Sequence, residues 1–184
     1  ANSSLLNYEA ATSHGITVRA TSADTSFSTQ SFTINLTDVD EFDVGSVTDS
    51  NAAANSLAEN SANGTTVGIT AAAADVDGTT NTITFSIDDD AGGRFTIDGS
   101  TGVVTVANSS LLNYEAATSH GITVRATSAD TSFSTQSFTI NLTDVDEFDV
   151  GSVTDSNAAA NSLAENSANG TAVGITAAAA DVDG

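Results

Sequence analysis

The sequence predicts an all-β chain of tandem Greek-key β-sandwich domains of immunoglobulin-like size, joined end to end. Short apolar-alternating segments, about seven per repeat, are separated by turn residues, as in a sandwich of this kind. No segment has convincing helical periodicity. Residues 107–184 repeat residues 1–78 with one difference, Thr66 against Ala172, so the period is 107 − 1 = 106 residues. That period fits one whole domain per repeat and exceeds the usual solenoid repeat.

The front half of one period predicts two strands and two connecting segments. Residues 42–50 alternate weakly and favour a short first strand. Residues 51–63 are rich in Asn and Ala, and because Asn and Ser favour turns we expect a loop. A strand opens at residues 64–70 and runs into the alanines of 71–74. The Asp-Val-Asp-Gly sequence at 75–78 then predicts a turn.

The back half predicts the remaining strands. Residues 82–87 alternate cleanly, and Asp88 to Asp90, followed by Ala-Gly-Gly, indicate a solvated loop. A turn at 98–102 joins two short strands into a hairpin, and Leu111 and Leu112 anchor a bend. Strands in this half are expected at 82–87, 95–97, 103–106, 122–126 and 138–142.

The chain is strongly acidic, with 24 Asp and Glu against 3 Lys and Arg and a net charge of −21. Nucleic acids and anionic membranes attract basic proteins, so we expect neither as a partner, and no apolar run is long enough to insert in a membrane. The chain has no Cys, which excludes disulfides and thiolate chemistry. We also expect no enzymatic activity, because no convincing catalytic set is present and paired carboxylates would put a catalytic site in every repeat.

Acidic residues concentrate where a strand ends and the next domain begins. Asp38-Val39-Asp40-Glu41 and its copy Asp144-Val145-Asp146-Glu147 each carry three carboxylates in four residues. One interpretation is a solvated acidic linker. The other is a divalent cation site, and calcium suits it because calcium binds six to eight hard oxygens, whereas zinc favours Cys and His. The turn at 75–78 does not fit an EF-hand, since Ser86 stands where the bidentate Glu belongs.

These acidic joints set the predicted domain boundaries. Residues 1–40 are expected to be the C-terminal part of a preceding repeat. Residues 41–146 form one complete repeat, and residues 147–184 form the N-terminal part of the following one.

The ordered motifs of the full period resemble the cadherin repeat. They are Leu57-Ala58-Glu59-Asn60, Gly64-Thr65, Ala74-Asp75-Val76-Asp77-Gly78, Phe95-Thr96-Ile97-Asp98, Thr101-Gly102, Leu112-Asn113-Tyr114-Glu115, Val124-Arg125-Ala126 and Asp144-Val145-Asp146-Glu147. In cadherins, calcium ions lie between consecutive repeats, so the resemblance implies ligands from both sides of each joint. Those implied at the first joint are Glu9, Asp38, Asp40, Glu41, Asp75, Asp77 and Asn81. Those implied at the second joint are Glu59, Glu115, Asp144, Asp146, Glu147, Asp181 and Asp183.

The sequence also departs from the family pattern. Asn113 stands where the family has Asp, and Ser128 occupies another Asp position, with Asp130 two residues further on. The family's prolines are absent. The pattern looks more similar to bacterial cadherin-like domains than to animal ones.

The resemblance implies a calcium-rigidified extender of a large secreted or cell-surface bacterial protein, such as an adhesin or an extracellular filament. Its partners would be calcium ions and the neighbouring repeats of the same chain. The alternative is a self-associating or carbohydrate-binding adhesion module, which could assemble into filaments. Glycan binding is disfavoured, because Tyr8 and Tyr114 are the only tyrosines and Trp is absent.

Overall fold

The computed structural model describes residues 5–183 of the chain and contains twelve strands in that range. A short 3₁₀ helix covers Ser109–Leu111. No helix in the described part of the chain has the length and apolar character needed to cross a bilayer. The strands are β1 (Ser13–Thr21), β2 (Phe27–Asn35), β3 (Thr48–Asp49), β4 (Ser56–Ala58), β5 (Thr66–Ala72), β6 (Ile83–Asp89), β7 (Phe95–Ile97), β8 (Val103–Val106), β9 (Ser119–Ser128), β10 (Phe133–Thr143), β11 (Thr154–Asp155) and β12 (Ala177–Ala178).

Strands β3 to β10 form two four-stranded sheets. One has the order β4-β10-β9-β6 and the other the order β3-β5-β8-β7. The two short strands β3 and β4 follow each other in the chain but lie in different sheets. Strand β3 pairs antiparallel with β5, and β4 pairs parallel with β10. Both sheets contribute side chains to one buried core, so the predicted β-sandwich is confirmed.

The core follows from the alternation that the sequence shows. In β9, Ile122, Val124 and Ala126 are each at most 1% exposed, while the residues between them are only partly buried. Val67 and Ile69 of β5, in the other sheet, are equally inaccessible. Each strand thus turns one face inward, and the space between the sheets is closed to water.

Four details differ from the sequence-based expectations. The first strand is only two residues long at β3, and the expected loop at 51–63 contains β4. Strand β10 begins at Phe133, earlier than expected. Asp88 and Asp89 belong to β6, and an oxygen of Asp88 lies 2.7 Å from Nη2 of Arg125 on the adjacent β9. The prediction of a solvated loop at Asp88 was therefore wrong, because cross-strand pairing fixes this carboxylate.

Strand β5 contains a β-bulge beside the segment that connects β3 to β4. The pairing of β5 with β8 shifts register between Thr66 and Thr70, and Gly68 in that interval has φ +88°. A Cβ on Gly68 would lie 2.2 Å from the carbonyl oxygen of Ala54. A glycine is therefore required where β5 approaches the segment that leads into β4.

The repeated segments show that burial depends on the opposing sheet. Ile122 is 1% exposed, whereas its copy Ile16 in β1 is 43% exposed. Val47 is 3% exposed, and its copy Val153 is 73% exposed. Local sequence is the same in each pair, so only the surroundings account for the difference.

The copies provide a matched test of the core. Replacing Ile122 by Ala should lower the free energy of unfolding by about 2–5 kcal/mol, because it leaves a cavity between the sheets. Replacing Ile16 by Ala should cost less than about 1 kcal/mol, because Ile16 is already half exposed. Urea unfolding of both variants measures the difference, and equal losses would contradict this account of the core.

Candidate metal centres

The topology delivers acidic residues to the two ends of the central sandwich. Strand β10 ends at Thr143, immediately before the acidic sequence at 144–147. The parallel pairing of β4 with β10 brings Glu59 to the same end, where its N–H donates to the carbonyl of Thr143 at 3.2 Å. Strand β5 leads the chain back to the opposite end, where the turn at 75–78 lies beside the acidic sequence at 38–41.

At the first joint, four carboxylates from three segments converge. Glu9, Asp38, Glu41 and Asp77 each place one oxygen within 4.8 Å of the oxygens of the others. Asp77 is only 1% exposed, although its side chain is a carboxyl group. The hydroxyl of Thr79 donates to Asp38, which connects the turn after β5 to the segment after β2.

A second group shares Asp77 with the first. Asp40, Asp77 and Asp130 also place oxygens within 4.8 Å of one another. Asp130 lies in the turn between β9 and β10, where its Oδ1 accepts from the N–H of Ser132 at 2.7 Å. Asp77 therefore faces acidic residues on two sides and lies between two candidate cation positions.

At the second joint, Glu59, Glu115 and Glu147 form the corresponding cluster. Glu59 is 1% exposed, and its two oxygens accept from the N–H groups of Tyr114 at 2.6 Å and Val145 at 3.0 Å. The side-chain amide of Asn60 donates to Glu147. The backbone around Glu59 therefore fixes the carboxylate that the other two approach.

Asp144, Asp146, Asp181 and Asp183 also belong to this joint. Asp144 and Asp183 line a cleft of about 380 Å³ together with Tyr114, Glu115, Thr118 and Val182. Asp183 accepts from the N–H groups of Glu147 and Phe148, the latter at 2.8 Å. Asp181 Oδ1 accepts from the N–H of Asp183 at 3.2 Å, as Asp75 does for Asp77 at the first joint.

The crowding of carboxylates changes their pKa values. A shared hydrogen bond with Asp77, loss of water and the charge of Asp130 raise the pKa of Asp40 to about 6. Loss of water and the charge of Glu9 raise the pKa of Glu41. Two neighbouring carboxylates repel each other when both are ionised, so without a cation Asp40 takes up a proton at a higher pH than an isolated aspartate does.

The second joint shows the same effect. A hydrogen bond with Asp183 and its charge raise the pKa of Asp146, while the N–H of Phe148 lowers the pKa of Asp183. Of this pair, Asp146 is therefore the carboxyl that takes up a proton first as the pH falls. Loss of water and the charge of Glu59 raise the pKa of Glu147.

The donor atoms fit a hard divalent cation such as calcium. All clustered side chains offer carboxylate oxygens. Oδ1 of Asp38 and Oδ1 of Asp183 are buried and accept no hydrogen bond from any described residue. A buried charged oxygen without a partner is costly, and a cation would supply the missing partner.

Some of the implied ligands are engaged elsewhere. Both oxygens of Asp75 accept hydrogen bonds, from the N–H of Asp77 at 3.0 Å and from the hydroxyl of Ser128 at 2.5 Å. The side-chain amide of Asn81 donates to the carbonyl of Asp77 at 2.6 Å. Neither residue joins a cluster of carboxylates, and both hold the turn that carries Asp77. At the second joint, Asp144, Asp146, Asp181 and Asp183 all lie outside the cluster, which consists of Glu59, Glu115 and Glu147.

The structure adds Asp130, which the sequence had left undecided. Ser128 stands at the family's Asp position, yet it is 4% exposed and its hydroxyl is directed to Asp75. The carboxylate that reaches the joint comes from two residues further along, in the tight turn after β9. An acidic residue in a hairpin turn at the joint end of the sheet was the signal that could have identified it.

Comparison with known proteins agrees with this arrangement. A family model described as the cadherin domain matches residues 54–143. No curated protein sequence matches the chain.

Solved structures with the same fold are multi-domain cadherins. Domains 1-4 of protocadherin gamma B7 share 22% identity with a TM-score of 0.71, and the match covers 97% of this chain and 43% of that one. Mouse cadherin-23 EC22-24 shares 22% identity with a TM-score of 0.74, with coverage of 97% and 56%. Protocadherin gammaB7 EC3-6, a cis-dimer, shares 20% identity with a TM-score of 0.63, with coverage of 79% and 36%. The chain thus spans only about half the length of the structures it matches, or less. The fold and the family model thus agree that residues 54–143 are similar to a cadherin domain.

Proposed function

We propose that this chain is part of a calcium-stiffened extender region in a large secreted or cell-surface bacterial protein, such as an adhesin or an extracellular filament. Cadherin domains are structural and adhesive modules, which supports a mechanical role over a catalytic one. The near-identical repeats support it further, since a spacer needs length more than diversity. The bacterial assignment comes from the resemblance of the sequence pattern alone.

The convergence of carboxylates from separate segments at each joint carries this proposal. At the first joint they come from the segment before β1, the segment after β2 and the turn after β5. Two unit charges 4 Å apart repel by about 1 kcal/mol in water and about 4 kcal/mol at an effective dielectric constant of 20. The joint without a cation is therefore under electrostatic strain.

The residues that would hold calcium come from both sides of each joint. At the first joint they are Glu9, Asp38, Asp40, Glu41, Asp77 and Asp130, and at the second Glu59, Glu115, Asp146, Glu147 and Asp183. Bound calcium would supply positive charge that cancels the repulsion among them. Since Asp77 belongs to one repeat and Glu9 and Asp38 to the other, holding them together restricts the bending of the joint.

Replacing Asp40 by Asn should have opposite effects with and without calcium. In EDTA, the variant removes a charge that faces Asp77 and Asp130, so the melting temperature should rise. In excess calcium it removes a ligand, so the gain in melting temperature on adding calcium should shrink. Differential scanning calorimetry under both conditions measures the two effects.

Asp43→Asn is the matched control, because it removes the same charge from the same connecting segment at a residue outside the clusters. The control should change neither the melting temperature in EDTA nor the gain in melting temperature on adding calcium. If Asp40→Asn behaves like Asp43→Asn in calcium, the first joint does not hold the ion as proposed.

Glu59 and its copy Glu165 provide a second matched pair. Glu59→Gln leaves one of two buried N–H groups without an acceptor, so it should lower the free energy of unfolding in EDTA by about 1–3 kcal/mol. It should also weaken calcium binding at the second joint by about tenfold or more. Glu165 is exposed, so Glu165→Gln should change neither the free energy of unfolding nor the calcium affinity. Urea unfolding and calcium titration calorimetry distinguish the two variants, and equal behaviour would contradict the assigned role of Glu59.

Self-association is the second candidate function. The cis-dimer of protocadherin gammaB7 EC3-6 favours it, because that protein shares this fold. If self-association is the function, sedimentation velocity should show a species above the monomer mass of 18.3 kDa. A single monomeric species across the accessible concentration range would reject it.

A further inference from the structure

An uncharged contact also joins the two repeats at the first joint. The ring of Tyr8, from the segment before β1, lies against Gly78, from the turn after β5. Tyr8 is partly buried and neighbours Glu9, which belongs to the first-joint cluster. The contact thus lies beside the carboxylates without using any of them.

Residue 78 must be a glycine because the Tyr8 ring occupies the space of a Cβ, not because of its own backbone conformation. Its φ lies outside the left-handed region, so an alanine could adopt the same conformation. A Cβ at this position would lie 2.6 Å from Cδ1 and 2.8 Å from Cε1 of Tyr8. It would also approach Oε1 of Glu9 at 3.3 Å. The space above Gly78 is therefore filled by the neighbouring repeat.

The contact acts on the turn that presents Asp77. Gly78 directly follows Asp77, whose N–H donates to Asp75 and whose carbonyl accepts from Asn81. These hydrogen bonds make the turn a defined surface on which a flat ring can pack. Tyr8 and Gly78 recur one period later in the sequence as Tyr114 and Gly184.

We infer that Tyr8 and Gly78 form an ion-independent latch between consecutive repeats, which holds Glu9 and Asp77 in proximity before any cation binds. The partner of the Tyr8 ring is thus the glycine turn of the next repeat in the same chain. The latch counteracts the repulsion between the acidic residues, because its contact energy does not depend on charge. Its existence does not rest on calcium binding; only its benefit to a calcium site rests on the proposed function.

The test uses the fluorescence of Tyr8 in the whole chain. Tyr8 and Tyr114 are the only tyrosines and Trp is absent, so Tyr114→Phe leaves Tyr8 as the sole emitter. Acrylamide is a suitable quencher, because an uncharged molecule is not repelled by a net charge of −21. All measurements are made in EDTA, so a failure of calcium binding cannot affect the result.

In this background, Gly78→Ala should displace the ring and raise the quenching constant of Tyr8 toward that of free N-acetyl-tyrosinamide, because overpacking forces a side chain out of its site. Gly121→Ala is the matched control, since no atom lies within 4 Å of a Cβ there and its φ is also ordinary. The control should leave the quenching constant unchanged. Equal quenching in the two variants would overturn the latch.

A double-mutant cycle separates a latch from a simple turn glycine. Gly78→Ala should lower the urea midpoint of the chain in EDTA, and the same change should have no effect once Tyr8→Ala has removed the ring. A loss that persists in the Tyr8→Ala background would assign Gly78 to the turn alone and reject the latch.

Discussion

Repulsion among carboxylates at the two joints is the constraint on which the organisation of this chain depends. The strands end where the acids begin, so the fold itself brings Glu9, Asp38, Glu41 and Asp77 to one point. Loss of water and neighbouring acidic groups raise the pKa of Glu41, and the contact with Asp77 raises the pKa of Asp40 to about 6. Stability of the joint therefore requires something that offsets like charge. The clustered oxygens suit a divalent cation for that purpose, and the Tyr8 ring provides a contact that needs none.

The repeated sequence separates local from tertiary effects. Glu59 is buried and accepts two backbone N–H groups, whereas Glu165, with the same neighbours in sequence, is exposed. Ile122 and Ile16 differ in the same way. Burial of the core is therefore not a property of a short segment, because it requires the opposing sheet. The core and the acidic clusters thus have different origins: one sandwich makes the core, whereas the first-joint cluster combines residues that precede this sandwich with Asp77 from it.

Much of this arrangement could be predicted from sequence, and the exceptions share a cause. Alternation identifies the buried strands such as β9, and acids after β2 and β10 locate the joints, because both patterns are local. Strand β4 was missed because three residues pair in parallel with a strand more than eighty residues away. Asp88 was assigned to a solvated loop because its partner, Arg125, comes from another strand. The contribution of Asp130 was undecided because the conformation of the hairpin turn determines whether its carboxylate lies near Asp40 and Asp77. Sequence spacing does not give that conformation. Predicted boundaries at 40/41 and 146/147 stay predictions.

The most direct test of the account is small-angle X-ray scattering of the whole chain, first in EDTA and then in excess calcium. The account predicts a larger maximum dimension in calcium with an unchanged forward scattering, because the joints straighten without any change of mass. Magnesium should have a weaker effect, since its strict octahedral shell suits these clusters less well. A variant with both Glu115→Ala and Asp146→Ala should lose the response of the second joint. If calcium leaves the scattering profile of the original chain unchanged, the acidic joints are solvated linkers and the calcium-stiffened extender is wrong.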